Sequence, residues 1–150
     1  MIESTLWLIE KDLSPKLKKD LEEVNKRLQS DAILTALGYL GFKCGGESVR
    51  ESPVELADII AGVFLNDVDW ICRSNDNDSS EKTRKCAKYL GIKIINKLKS
   101  SELIIDETIP GDELYCWAYA LTNKGRKYVE GYRKEDLKTL REISEDLLNK

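Results

Sequence analysis

The chain has no histidine among its 150 residues, and this removes the commonest general base and the usual catalytic triads. What remains for chemistry is carboxylates, thiols and lysines. Asp67, Asp69, Asp76 and Asp78 crowd one polar stretch, which raises a paired-carboxylate site or a calcium loop. A calcium loop needs glycine at its sixth position and glutamate at its twelfth, and neither is present. Asp78 and Ser80 read instead as caps for the helix that follows. The four cysteines, Cys44, Cys72, Cys86 and Cys116, form no Cys-x-x-Cys pair. Without histidine, a zinc site would have to gather all four thiolates, so free buried thiols are expected, with no metal and no disulfide. Gly45 and Gly46 invite comparison with a phosphate loop, but Gly-x-x-x-x-Gly-Lys-Ser/Thr is absent. The expectation is a protein that binds rather than catalyses, with no cofactor.

The lysines are concentrated. From Ser80 to Ser100 seven basic residues stand against one acid, Glu81, in a chain whose net charge is −3. At helical spacing Thr83, Cys86, Ala87, Leu90, Ile94, Ile95 and Leu98 fall on one arc. Lys82, Lys85, Lys88, Tyr89, Lys93, Asn96 and Lys99 fall on the other. The first arc predicts core. The second predicts a cationic face whose tyrosine and asparagine could reach base edges, a surface suited to a polyanion.

After this helix two β-type runs, Glu102 to Ile109 and Leu114 to Leu121, flank Pro110-Gly111-Asp112-Glu113. Then comes Leu121-Thr122-Asn123-Lys124-Gly125, where the Thr122 hydroxyl can cap the next helix. This order, with Ser101-Glu102-Leu103-Ile104 as a short apolar step and Tyr119 to Arg126 as a strand-to-helix turn, resembles the second half of a winged helix-turn-helix domain of the MarR-like and PadR-like kind, over roughly residues 53–130. The resemblance implies a mainly α (α+β) fold with flanking N- and C-terminal helices, and a dimer that binds double-stranded DNA. On this likeness Lys82, Lys85, Tyr89, Lys93 and Asn96 would enter the major groove, and Lys88, Lys124, Arg126 and Lys127 would contact phosphates. Two features depart from the pattern. The basic helix is longer than a usual recognition helix, and the wing carries Asp106, Glu107, Asp112 and Glu113 where a DNA-facing wing is neutral or basic.

A chain of this length can bury about two-thirds of its unfolded surface without a disulfide or metal staple, so one domain is the default. Within it, 14–40 reads as an N-terminal helical region, 53–122 as the winged-helix core and 123–150 as a C-terminal helix. Ser14-Pro15 is a helix start, followed by a narrow seam of Leu17, Leu21, Val24 and Leu28. Asp31 to Leu40 continues as apolar helix. Ser52-Pro53 starts another helix, and Asp67 to Arg73 reads as a separate short one after Asn66, with Trp70 and Ile71 facing inward. Leu137, Leu140, Ser144 and Leu147, with Ile143 and Leu148, make a second seam. The two seams could bury each other within one chain or between two, the latter predicting a homodimer. No apolar run approaches the ~20 residues of a membrane span, and Glu3 and Glu10 interrupt any signal peptide. A cytoplasmic protein is expected.

Two functions follow. The first is a small dimeric transcriptional regulator of a prokaryote or mobile element. The second is an inhibitor or adaptor, of the kind a phage carries, that uses a winged-helix-like fold to bind a protein. Acid supports the second: residues 1–79 hold nine bases against fifteen acids, and residues 101–113 hold five acids and no base. Phosphate would repel such a wing.

Overall fold

A computed structural model describes residues 8–42, 53–75, 79–107 and 118–133. Three long helices, α1 (Pro15–Phe42), α2 (Pro53–Ser74) and α3 (Ser80–Ser100), lead into strands β1 (Ile104–Glu107) and β2 (Ala118–Leu121) and then helix α4 (Asn123–Arg133). The described chain is therefore mainly helical. Among the described residues no helix is long and apolar enough to cross a membrane.

Local chemistry sets the helix starts. The Ser14 hydroxyl accepts from the Leu17 amide at 3.2 Å, which satisfies one of the orphan N–H groups of the first turn that Pro15 opens. The seam of Leu17, Leu21 and Val24 continues through Ile33, Ala36, Leu37 and Leu40, all buried, so α1 runs on as one helix. At α3 the cap is Ser79, whose side chain accepts from the Lys82 amide. The structure thus corrects the assignment of Asp78 and Ser80 by one residue. A second correction concerns α2, which does not break at Asn66. Leu56, Ile60, Phe64, Val68 and Cys72 keep one buried stripe running through that point, and Asn66 sits on the solvent side of it. The two expected helices are one.

α1, α2 and α3 run up, down and up. Arg27 of α1 meets Asp67 of α2 at 3.1 Å, and Asp20 accepts from Asn75 at 3.1 Å. Asp69 of α2 accepts from Thr83 of α3, while Gly91 lies against Ala57 at the far end of the same pair. α2 and α3 pack most extensively, and small residues on both helices let their backbones approach closely. All seven residues predicted for the core arc of α3 are buried, yet Tyr89, Gly91 and Ile92 are buried too. α3 is packed on more than one side.

The N-terminal seam is covered within the chain: Leu17, Leu21 and Val24 are buried and Leu28 is partly so. The second seam, from Leu137 to Leu148, lies outside the described residues, as do Cys44, Cys116, the Gly45-Gly46 loop, and Asp112 and Glu113.

The end of α3 joins the helices to the hairpin. Leu103 N donates to Leu98 O and Glu102 N to Lys99 O, both at 3.0 Å, the two bonds of a Schellman turn. Its left-handed residue is Glu102, at φ 61°, a position that glycine usually fills. Leu98 and Leu103, the apolar pair of that motif, are both buried. The antiparallel hairpin then opens on Ile104 opposite Leu121, both buried, while Ile105 turns outward.

Candidate nucleic-acid interface

The nine residues expected to meet DNA fall into three groups. Arg126 and Lys127 lie on the first turns of α4, where Arg126 Nη2 donates to Asn123 Oδ1 at 2.9 Å and Lys127 is exposed. Lys124 is engaged elsewhere. Its Nζ donates to the Ser101 carbonyl at 3.1 Å, placing a cation on the negative end of the α3 dipole.

The second group surrounds Tyr89. The tyrosine is fully buried, and its hydroxyl donates to Glu10 Oε1 at 3.1 Å. Burial first, and the Glu10 carboxylate second, lift its phenol well above the ordinary value. Lys93 Nζ sits 5.1 Å over the Tyr89 ring centroid, within cation–π range. Lys82 Nζ donates to the Asp12 carbonyl at 3.3 Å. This side of α3 faces the N-terminal turn at 9–13 rather than solvent, so Tyr89 is unavailable as a base-reading residue. Asn96 is half-buried further along.

The third group faces outward. Arg84 and Lys85 are exposed, with no hydrogen bond or ion pair among the described residues. Lys88 is half-buried, its Nζ 4.0 Å from Asp58 Oδ1 of α2. At 100° per residue the three span an arc of about 100° on the N-terminal half of the helix. Arg84 was counted in the charge surplus but not assigned a contact. Its unbroken i, i+4 step to Lys88 was the available signal.

Of the four acids that suggested chemistry, Asp76 and Asp78 lie outside the described residues, and the two on α2 are occupied by bases. Asp67 pairs with Arg27, and Asp69 pairs with Arg73 at 3.0 Å and accepts from Thr83. Cys72 and Cys86 are both buried free thiols. They face each other across α2 and α3, and burial, with the neighbouring Cys72, pushes the Cys86 thiol from 9.0 to about 12. Such thiols are poor nucleophiles and poor metal ligands. The same α2 carries an outward face on which Leu65 is 41% exposed and Trp70, expected to face inward, is 72% exposed; Ile71 alone of that pair packs against the core, because the buried stripe of the unbroken helix passes through Val68 and Cys72. Comparison with known protein families, characterised proteins and solved structures finds no match to this chain.

Proposed function

We propose that the protein binds double-stranded DNA as a small winged-helix regulator, with the N-terminal half of α3 as the reading surface. The observation that carries this is the outward stripe of Arg84, Lys85 and Lys88, two of them without a counter-charge among the described residues, on a helix followed by an antiparallel hairpin. Helix-turn-helix proteins read base edges with the N-terminal residues of the second helix, and that half of α3 is where open cations lie. Lys127 and Arg126 on α4 sit near the opposite, C-terminal end of α3, so they form a separate basic group rather than a continuation of the stripe. A dimer falls to the C-terminal seam around Leu140, since the N-terminal seam is already covered.

The test is duplex affinity across a salt series, followed by fluorescence anisotropy. Affinity falls steeply with salt because each neutralised phosphate releases counterions. Lys85→Ala and Arg84→Ala each lower the salt slope by about one contact, whereas Tyr89→Phe leaves it unchanged. Absence of salt-dependent binding at low ionic strength would end this reading. It would favour the protein-partner reading, for which the exposed Leu65 and Trp70 on α2 speak, since aromatic residues of that exposure are frequent anchors in protein interfaces.

A further inference from the structure

A cleft of about 440 Å³ opens between the N-terminal turn and the start of α3, lined by Leu8, Ile9, Lys11, Asp12, Leu13, Lys82 and Lys85. Its size lies within the ~300–1,000 Å³ of small-molecule sites. The two walls are fixed. Asp12 N and Leu13 N close a hydrogen-bonded turn onto Ile9 O and Glu10 O, each at 3.1 Å. That turn is tied to α3 by Lys82 on the Asp12 carbonyl at 3.3 Å and by Tyr89 on Glu10 at 3.1 Å. The cleft is therefore preformed, and a ligand would not bear the cost of ordering it.

Its lining has two chemistries. Leu8, Ile9 and Leu13 are aliphatic, and Leu8 is left 50% exposed, a large apolar side chain open beside a concavity. Three lysines stand against one aspartate, a local surplus of positive charge. Lys82 and Lys85, one helical turn apart, lie side by side, and Lys85 has no counter-ion among the described residues. An apolar floor beside paired cations selects a ligand with an aliphatic body and one anionic head.

We infer that this cleft binds a small anionic amphiphile of the medium-chain carboxylate class, its tail over Leu8 and Leu13 and its carboxylate between Lys82 and Lys85. The site stands independently of DNA binding, although Lys85 serves both surfaces and an occupant would withdraw that cation from phosphate.

The probe is octanoate, titrated into the full chain by calorimetry, with octanol and acetate as the tail and the head alone. Octanoate binds saturably at one site, and each half-ligand binds about tenfold more weakly or worse. Lys85→Gln weakens octanoate about fivefold or more and leaves octanol unchanged. Leu8→Glu, at a position open enough to keep the fold, weakens octanoate and octanol alike. Lys127→Gln, remote from the cleft, changes neither. An anionic membrane lipid presents the same chemistry, but the cleft holds one short chain, so vesicles of phosphatidylglycerol do not bind. The inference is overturned if octanoate shows no saturable binding up to ~10 mM. It is equally overturned if Lys127→Gln weakens octanoate as much as Lys85→Gln, if Leu8→Glu has no effect, or if only the vesicles bind. Loss of DNA affinity in any variant has no bearing on these outcomes, because binding is read directly.

Discussion

Two glycines, one in α2 and one in α3, should respond in opposite senses to the same change. Replacing either by alanine adds one methyl group to a helix interior and, taken alone, gains roughly 0.5–1 kcal/mol of helix propensity. At Gly62 nothing lies within 4 Å of the new methyl, so Gly62→Ala should realise that gain. At Gly91 the methyl would stand 2.6 Å from the Ala57 carbonyl oxygen and 3.3 Å from the Ala61 amide nitrogen. An ordinary carbon–oxygen contact needs ~3.3 Å, so α2 and α3 must part by about 0.7 Å. Both obstructing atoms belong to helix backbone and cannot swing aside. Parting the helices loosens the most extensive interface of the bundle, and overpacking of this kind costs ~1–3 kcal/mol. After the propensity gain, Gly91→Ala should be destabilised by ~1–2 kcal/mol. Urea unfolding followed by far-ultraviolet circular dichroism measures both variants against the parent. In heat, each kcal/mol corresponds to ~2–4 °C for a chain of this size. A Gly91→Ala protein as stable as the parent would refute the close approach of α2 and α3.

Two further expectations concern the end of α3 and the buried thiols. Glu102→Gly should stabilise the protein by about 1 kcal/mol, because a side chain at φ 61° carries a strain that glycine escapes; a loss of stability in denaturant would mean that the turn is not left-handed. Cys86 carries a thiol whose folded value, about 12, is above its unfolded 9.0, so its contribution is fully present below pH 9 and is lost as pH rises from there towards 12. Cys86→Ala should flatten part of that decline in unfolding free energy; an unchanged pH profile would count against the burial of the pair.

How much of this was legible in the sequence depends on how many neighbours each residue has from distant parts of the chain. The start at Ser14-Pro15, the core arc of α3 and the cap at Thr122 are local matters of spacing and hydrogen-bond chemistry, and they stand as expected. Tyr89 was placed on the outer face because periodicity assumes that a helix is packed on one side. The turn at 9–13 folds over that face from eighty residues upstream in sequence terms, and no window around Tyr89 contains it. The division of α2 at Asn66 failed for a related reason, since Phe64, Val68 and Cys72 hold the helix together by packing that local propensity does not register. For the candidate interface, the charge surplus was legible. Which of its cations lie open was not: Lys124 is bonded to Ser101 and Lys82 to Asp12, partners that the sequence cannot pair.

The junction of α3, the hairpin and α4 has a consequence for how this chain can vary. Thr122 Oγ1 accepts from the Gly125 amide at 3.0 Å and donates to the Glu102 carbonyl at 2.6 Å. Thr122 N meets the Leu103 carbonyl at 3.0 Å, and Gly125 leaves no room there for a β-carbon. Both ends of the hairpin are therefore clasped at its base by the same few residues that finish one helix and begin the next. Lineages descending from this chain would be expected to hold Thr122 and Gly125 fixed, because changing either one releases two helices and a hairpin together.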